Sequence, residues 1–285
     1  MLLRIFGKKP SPVPTVRDGK LHIYWWKRDF DGKYNIGDLL SPYIVSKISP
    51  FPLEYESLDS RGKFCAVGSL INDRSLKTGG VFWGTGMLTA NVRHHSAFAE
   101  FLAVRGPITR ASLLSAGYSC PHVYGDPALL MPNIVPLKRT KEYRLGVIAH
   151  HSHRSLVSCA DDVLFIDVLR KPGEEAEFVK EMCRCEAILS SSLHGVILAQ
   201  AYGIPVCWFT VVKNPLSGAD PNKKFIDYYY GAGLMEHKPL VLSKHSVIDA
   251  SFAGKACEIE EPKTNLRALR EAFDIYIDRY TQKMA

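Results

Sequence analysis

The stretch SSSLHGVILAQAYGIP, Ser190 to Pro205, gathers the residues best suited to chemistry. The run AILS (Ala187 to Ser190) predicts a buried strand. It ends in three serines, Ser190 to Ser192, followed by Leu193, His194 and Gly195, then a helix apolar nearly all round that Gly203 closes and Pro205 stops. Such a strand-to-helix turn offers backbone N–H groups at Ser191, Ser192, Leu193 and Gly195, serine hydroxyls, and an imidazole at a helix N-terminus. Together they make an anion site. The imidazole of His194 can also give up a proton near neutral pH, as a general acid must. The same residues would equally serve as helix caps around an ordinary turn histidine; the strand-end position and the accompanying donors favour a functional site.

Other segments supply possible partners. In FLAVRGPITR, Arg105 follows a strand and precedes a Gly-Pro helix start, so its planar fork would suit a carboxylate or phosphate. An interdomain salt bridge explains that position as well. GDPALLMP puts Asp126 at another strand end, where an Asp-Pro turn is the plainer reading. YNIGDLLSP contributes Asn35, Gly37 and Asp38 after the first strand. GTGM contributes Gly84, Thr85 and Gly86, a glycine loop without GxGxxG spacing and therefore a weak phosphate loop. The cluster His150, His151, His153 suggests a metal, but neighbours on one strand point to opposite faces. One histidine facing the cleft, His150, and no metal site is the expectation. Asp29-Phe30-Asp31 is a DxD string of the kind nucleotide-sugar transferases use for a cation, and the adjacent Gly32 makes a turn the simpler account. KKFIDYYYGAG combines Lys224, a carboxylate and three tyrosines, as a cleft-lining loop or an inward-packing aromatic helix.

The elements that must position these residues alternate strand and helix. Strands are expected at KLHIYWW, KFCAVG, GVFWG, FLAV and HVY, with a helix from Asp38 as N-cap and another from Pro107 to Gly117. Met131 to Tyr143, rich in proline and charge, reads as a linker. The pattern then restarts with RLGVIAH, VLFIDV, AILS and PVCWFTV, near-continuous apolar runs that suit parallel strands covered on both faces. Helices separate them, and a final helical stripe runs from Leu266 to Tyr280. Two doubly wound α/β domains facing across a cleft follow, residues 1–135 and residues 136–285, the last helix grouped with the second. In such folds ligands bind beyond the carboxyl ends of strands, where most of the residues above fall.

Composition excludes several classes. The 285 residues are 46% apolar and 23% charged, a globular balance, and the net charge of +7 favours anionic partners. No zinc-finger, basic-zipper or RNP string points to nucleic acid. Seven cysteines without a CxxC pair suit a reducing compartment. The start, MLLRIF, is too short in apolar residues for a signal peptide, and no stretch approaches the roughly 20 residues a bilayer span needs. A cytoplasmic protein whose basic surface touches the membrane's inner face is expected.

In order along the chain, NIGD, VGS, GTGM, VRGP, GDPALL, GVIAHH, SSSLHGVILAQAYGIP and KFIDYY resemble the polysaccharide pyruvyl transferase family, over about Trp25 to Gly233. The closest resemblance is to members that decorate bacterial capsule or exopolysaccharide repeat units. It implies two Rossmann-like halves in a GT-B-like arrangement, the first on the acceptor side with part of the donor site, the second holding the donor. It implies phosphoenolpyruvate as donor, no cofactor, and as acceptor a sugar of a polysaccharide or of its undecaprenyl-linked repeat unit, giving a pyruvate ketal. His194 then matches the general acid and Arg105 an arginine that grips the donor. Many members carry an arginine two residues before the histidine, where this chain has Ser192. A second cation must come from Lys224 or a protonated His150. The alternatives are a GT-B glycosyltransferase using a nucleotide sugar, and a saccharide-binding module with Trp25, Trp26 and Tyr228 to Tyr230 as stacking platforms.

Overall fold

A computed structural model of the chain describes residues 13–88, 91–95, 97–211, 222–235 and 237–282. The N-terminal apolar run weighed as a leader lies outside them. The apolar runs form two sheets. The first orders its strands Val16–Arg17, Lys20–Tyr24, Phe64–Cys65, Gly80–Trp83 and Ala99–Ala103, with Leu53–Tyr55 also paired to Lys20–Tyr24. All its pairings are parallel except that of Val16–Arg17. The second, wholly parallel, orders them Val163–Phe165, Tyr143–Ile148, Cys185–Ser190, Val206–Val211 and Leu240–Leu242.

Numbered along the chain, the second sheet runs 2-1-3-4-5. Connections from its first and third strands leave in opposite directions, and the carboxyl ends of Tyr143–Ile148 and Cys185–Ser190 flank the crevice this opens. His150 and the Ser190 to His194 turn sit at those ends. Of the expected strands, His122 to Tyr124 is reduced to a single bridge between Val104 and Tyr124.

Packing differs from the expected pair of separate halves. One cluster of buried side chains joins Ile36, Leu40 and Ala128 from the first half to Ile148, Phe178 and Val196 from the second. The supposed linker starts inside it, since Met131 is fully buried and opens the helix Met131–Ile134. The last helix, Leu266–Thr281, lies on the first sheet rather than with the second half. Leu269, Phe273, Tyr276 and Ile277 pack with Leu21, Phe64 and Trp83, and Trp83 Nε1 donates to Leu269 O at 2.8 Å. Burying a large apolar side chain is worth roughly 1.5–3 kcal/mol, so these four anchor the helix firmly. Its sequence stripe announced a buried face but not which sheet the face would meet.

The helix Ile36–Ile48 begins two residues before Asp38. Asn35 is its cap, its Oδ1 accepting the Gly37 N–H at 2.9 Å. The same start is tied to the second half, because Tyr34–Asn35 pairs antiparallel with Leu169–Arg170 and Ile36 N–H donates to Val168 O at 2.8 Å. The first residues of this helix are thereby fixed against the crevice.

Candidate active site

His194 lies in the first turn of the helix Leu193–Ala201, capped by Ser192 without a side-chain bond. The serines before it are consumed in building the turn. Ser190 Oγ accepts the Ser192 N–H at 3.1 Å, Ser191 N–H donates to Ile148 O at 3.0 Å, and Ser191 Oγ accepts the His150 N–H at 2.9 Å. Those bonds knit the two strand ends that flank the crevice. The helix's own ladder starts with Val196 N–H on Ser192 O at 3.2 Å, leaving the amides of Leu193, His194 and Gly195 without acceptors among the described residues. The anion-ready donors therefore fall at 193–195, not at Ser191 and Ser192. Leu193 offers only its amide, its side chain being in the core. Gly195 must be glycine, since a Cβ there would stand 2.3 Å from Ser190 Oγ.

The imidazole is clamped between two residues of the first half. A Cβ on Gly37 would lie 2.0 Å from His194 Nδ1, so the ring rests directly on that backbone. On the other side Asp126 Oδ2 stands 3.7 Å from Nε2. Asp126 is fully buried; its Oδ1 accepts the Ala128 N–H at 3.0 Å, while Oδ2 and His194 Nε2 have no hydrogen-bond partner. Expected to touch substrate, Asp126 instead stands buried behind the histidine.

Arg105 takes the second of its two expected roles, the interdomain salt bridge. It has no exposed surface: Nη1 donates to Ser69 Oγ and Nη2 to Met87 O, each at 2.9 Å, and Nε lies 3.5 Å from Asp227 Oδ2. Asp227, on the helix Lys223–Gly231, accepts the Thr109 N–H at 3.0 Å and the Thr109 hydroxyl at 2.7 Å. Arg105 thus bridges the two halves through Asp227. The GTGM loop is its bed. A Cβ on Gly86 would lie 2.4 Å from the guanidinium carbon, and one on Gly84, at φ +70°, 2.4 Å from Pro127. Thr85 is buried, donating to Gly68 O at 2.8 Å and accepting the Leu70 N–H at 3.1 Å. Gly84, Thr85 and Gly86 are frame rather than phosphate cradle.

Two opposite charges in the crevice stay uncommitted. Lys224 and Asp38 are both partly exposed, and neither makes a hydrogen bond or ion pair with any described residue. Burial, then the Arg105 charge, pushes the Lys224 ammonium down to about 8, with Asp38 pulling it up. Burial pushes the Asp38 carboxyl up to about 7, with Lys224 opposing. Burial, then Lys224 and the two neighbouring histidines, pushes His150 down to about 2. His150 is therefore neutral near neutral pH, and of the two expected cations only Lys224 carries charge there.

The remaining motifs resolve as structure. The strand before the histidines ends at Ile148, and residues 150–153 form a turn in which the rings of His150 and His151 lie 4.0 Å apart instead of on opposite faces. Among the described residues no group of three or more His, Cys, Asp or Glu side chains could hold a metal ion. Asp29 Oδ1 accepts the Gly32 N–H at 2.7 Å and Asp31 sits at φ +55°, a turn. Tyr228 and Tyr229 are buried, which removes two of the proposed stacking platforms. Sequence reasoning gave Asp227 and Ser69 no role, and only their contacts with Arg105 supply one.

Parallel sheets with helices thus bring a histidine at a helix start, a buried carboxylate behind it and the partly exposed Lys224 to the strand ends that flank the crevice. The model of the family described as polysaccharide pyruvyl transferase matches residues 67–213, and the chain belongs to that family. An uncharacterised protein of Acanthamoeba polyphaga mimivirus is 29% identical over 221 residues, 73% of each chain. No solved structure matches. Among the described residues no helix is long and apolar enough to cross a membrane.

Proposed function

We propose that the chain transfers pyruvate from phosphoenolpyruvate to two hydroxyls of a sugar, in a polysaccharide or its lipid-linked repeat unit, forming a pyruvate ketal. The reading takes the two sheets as Rossmann-like halves in a GT-B-like arrangement, and places the enzyme in the cytoplasm at the inner membrane face. The observation that carries it is the juxtaposition at His194: unclaimed amides at 193–195, the uncommitted Lys224, and a buried carboxylate behind the ring.

Phosphoenolpyruvate brings a phosphate and a carboxylate to this crevice. Amides and Lys224 hold them, and Arg105 joins once a donor oxygen displaces Ser69 or Met87. The helix N-terminus disfavours an imidazolium by roughly 0.3–1 kcal/mol. A donor anion about 4 Å away favours it by about 4 kcal/mol at an effective dielectric near 20. The anion outweighs the helix. Donor binding thus loads the proton that His194 delivers to the methylene carbon C3. That makes C2 electrophilic for one sugar hydroxyl; phosphate leaves, and a second hydroxyl closes the ketal. No step calls for a metal or an organic cofactor.

Ligand stabilisation and product release test this. Phosphoenolpyruvate should raise Tm while UDP- and CMP-sugars leave it unchanged, and phosphate should be released only with an acceptor saccharide. Stabilisation by a nucleotide sugar alone would favour a glycosyltransferase. Stabilisation by saccharide without any turnover would favour a binding protein.

A further inference from the structure

Pyruvyl transfer needs a proton acceptor as well as a donor, since the attacking hydroxyl must lose its proton as its oxygen bonds C2. His194 is committed to the opposite task. Other carboxylates are already engaged. Asp126 is fully buried behind His194, Asp227 is buried and bound to Thr109, and Asp29 is taken up in its turn. Asp38 differs from all of them. It follows Gly37, the residue on which the His194 ring rests, in the first turn of Ile36–Ile48. Asn35 caps that helix, so Asp38 is not needed as its cap, and its side chain makes no hydrogen bond or ion pair with any described residue. It keeps exposed surface in the crevice.

We propose that Asp38 is the general base that takes the proton from the acceptor hydroxyl, a role that rests on the pyruvyl-transfer reading of the His194 site. In the first step the sugar O–C2 bond forms, the C2=C3 π pair takes the His194 proton at C3, and the hydroxyl proton passes to Asp38. His194 is now neutral and Asp38 protonated. In the second step the other hydroxyl gives its proton to His194 as its oxygen bonds C2. The C2–O(phosphate) bond breaks, and Asp38 returns its proton to the departing phosphate. Of the two hydroxyl protons, one is accounted for on the new methyl group and one on hydrogen phosphate, and both side chains regain their starting states. Lys224, Tyr24 and His194 are the titratable groups that face or influence Asp38, and burial with no partner raises its affinity for a proton into the range a base needs at neutral pH.

The test is Asp38→Asn, with Asp38→Glu as the conservative partner, in the full chain checked for an unchanged fold by circular dichroism. Steady-state phosphate release, a phosphoenolpyruvate binding isotherm and the pH dependence of kcat/KM are measured. The asparagine variant should lose about 10²- to 10⁴-fold in kcat while donor Kd moves by less than about threefold, and the glutamate variant should recover part of the loss. In the wild type kcat/KM should rise with pH as Asp38 loses its proton, and that limb should vanish in the asparagine variant. Near-wild-type kcat with the limb intact overturns the proposal, as does lost donor binding with preserved turnover. A wild-type enzyme that releases no phosphate from phosphoenolpyruvate with any acceptor overturns the pyruvyl-transfer reading itself, and the base role with it.

Discussion

Asp38→Asn should make the protein more stable at neutral pH while leaving it no less stable in mild acid. The carboxyl, ordinarily near 3.8, is raised to about 7 by burial without a partner. Below the unfolded value both states hold the proton and the difference vanishes. Above the folded value both are ionised, and the folded state carries the full penalty of a desolvated charge. Stability contributed by this group therefore falls as pH rises from about 4 to about 7. At about 1.36 kcal/mol per pKa unit, three units give a ceiling of about 4 kcal/mol. Partial exposure, and the loss of the attraction between Asp38 and Lys224, reduce the net gain to about 2 kcal/mol, or a Tm rise of roughly 4–8 °C. The assay is calorimetric Tm of both proteins from pH 4.5 to 7.5. Coincident curves, or a variant less stable at pH 7.5, would refute the claim that Asp38 is an unpaired charge held at a cost to the fold.

Three further outcomes follow from the same geometry. Gly37→Ala puts a methyl group 2.0 Å from His194 Nδ1; it should cost about 1–3 kcal/mol in Tm-derived stability and lower kcat more than it alters donor Kd. Lys224→Met should raise the KM for phosphoenolpyruvate about tenfold or more. Wild-type donor affinity should fall as pH rises past about 8, where Lys224 loses its proton, and in the variant that dependence should be absent. Excess EDTA should leave turnover intact, measured as phosphate release before and after chelation; loss restored by Mg²⁺ or Mn²⁺ would return Asp29 and Asp31 to consideration.

The alternation of strands and helices was legible because parallel strands covered on both faces read as continuous apolar runs, as at Cys185–Ser190 and Val206–Val211. His194 could be singled out because its neighbours on both sides are unmistakable strand and helix. What stayed hidden depends on contacts distant in sequence. Arg105 read equally as a donor clamp or an interdomain salt bridge, and the residues that enclose it, Ser69, Met87 and Asp227, lie from 36 positions before it to 122 after it. Ser191 spends its hydroxyl on His150, 41 positions away, and the last helix chose its sheet through Trp83, 186 positions from Leu269. His150 looked like a possible cation because its burial and the nearness of Lys224 are facts of the assembled crevice. The clash that makes Gly37 obligatory has no local signal at all.

Single-turnover phosphate release by His194→Gln, run beside a phosphoenolpyruvate binding isotherm for the same protein, tests the central claim most directly. In the proposed reaction His194 delivers a proton to C3, and glutamine keeps a polar group of similar reach without a titratable proton. Turnover should fall by about 10²- to 10⁴-fold with donor binding retained, because the amides of 193–195 and Lys224 remain. Turnover near the wild-type rate would contradict the acid role, and normal chemistry with lost donor binding would make His194 a donor ligand only.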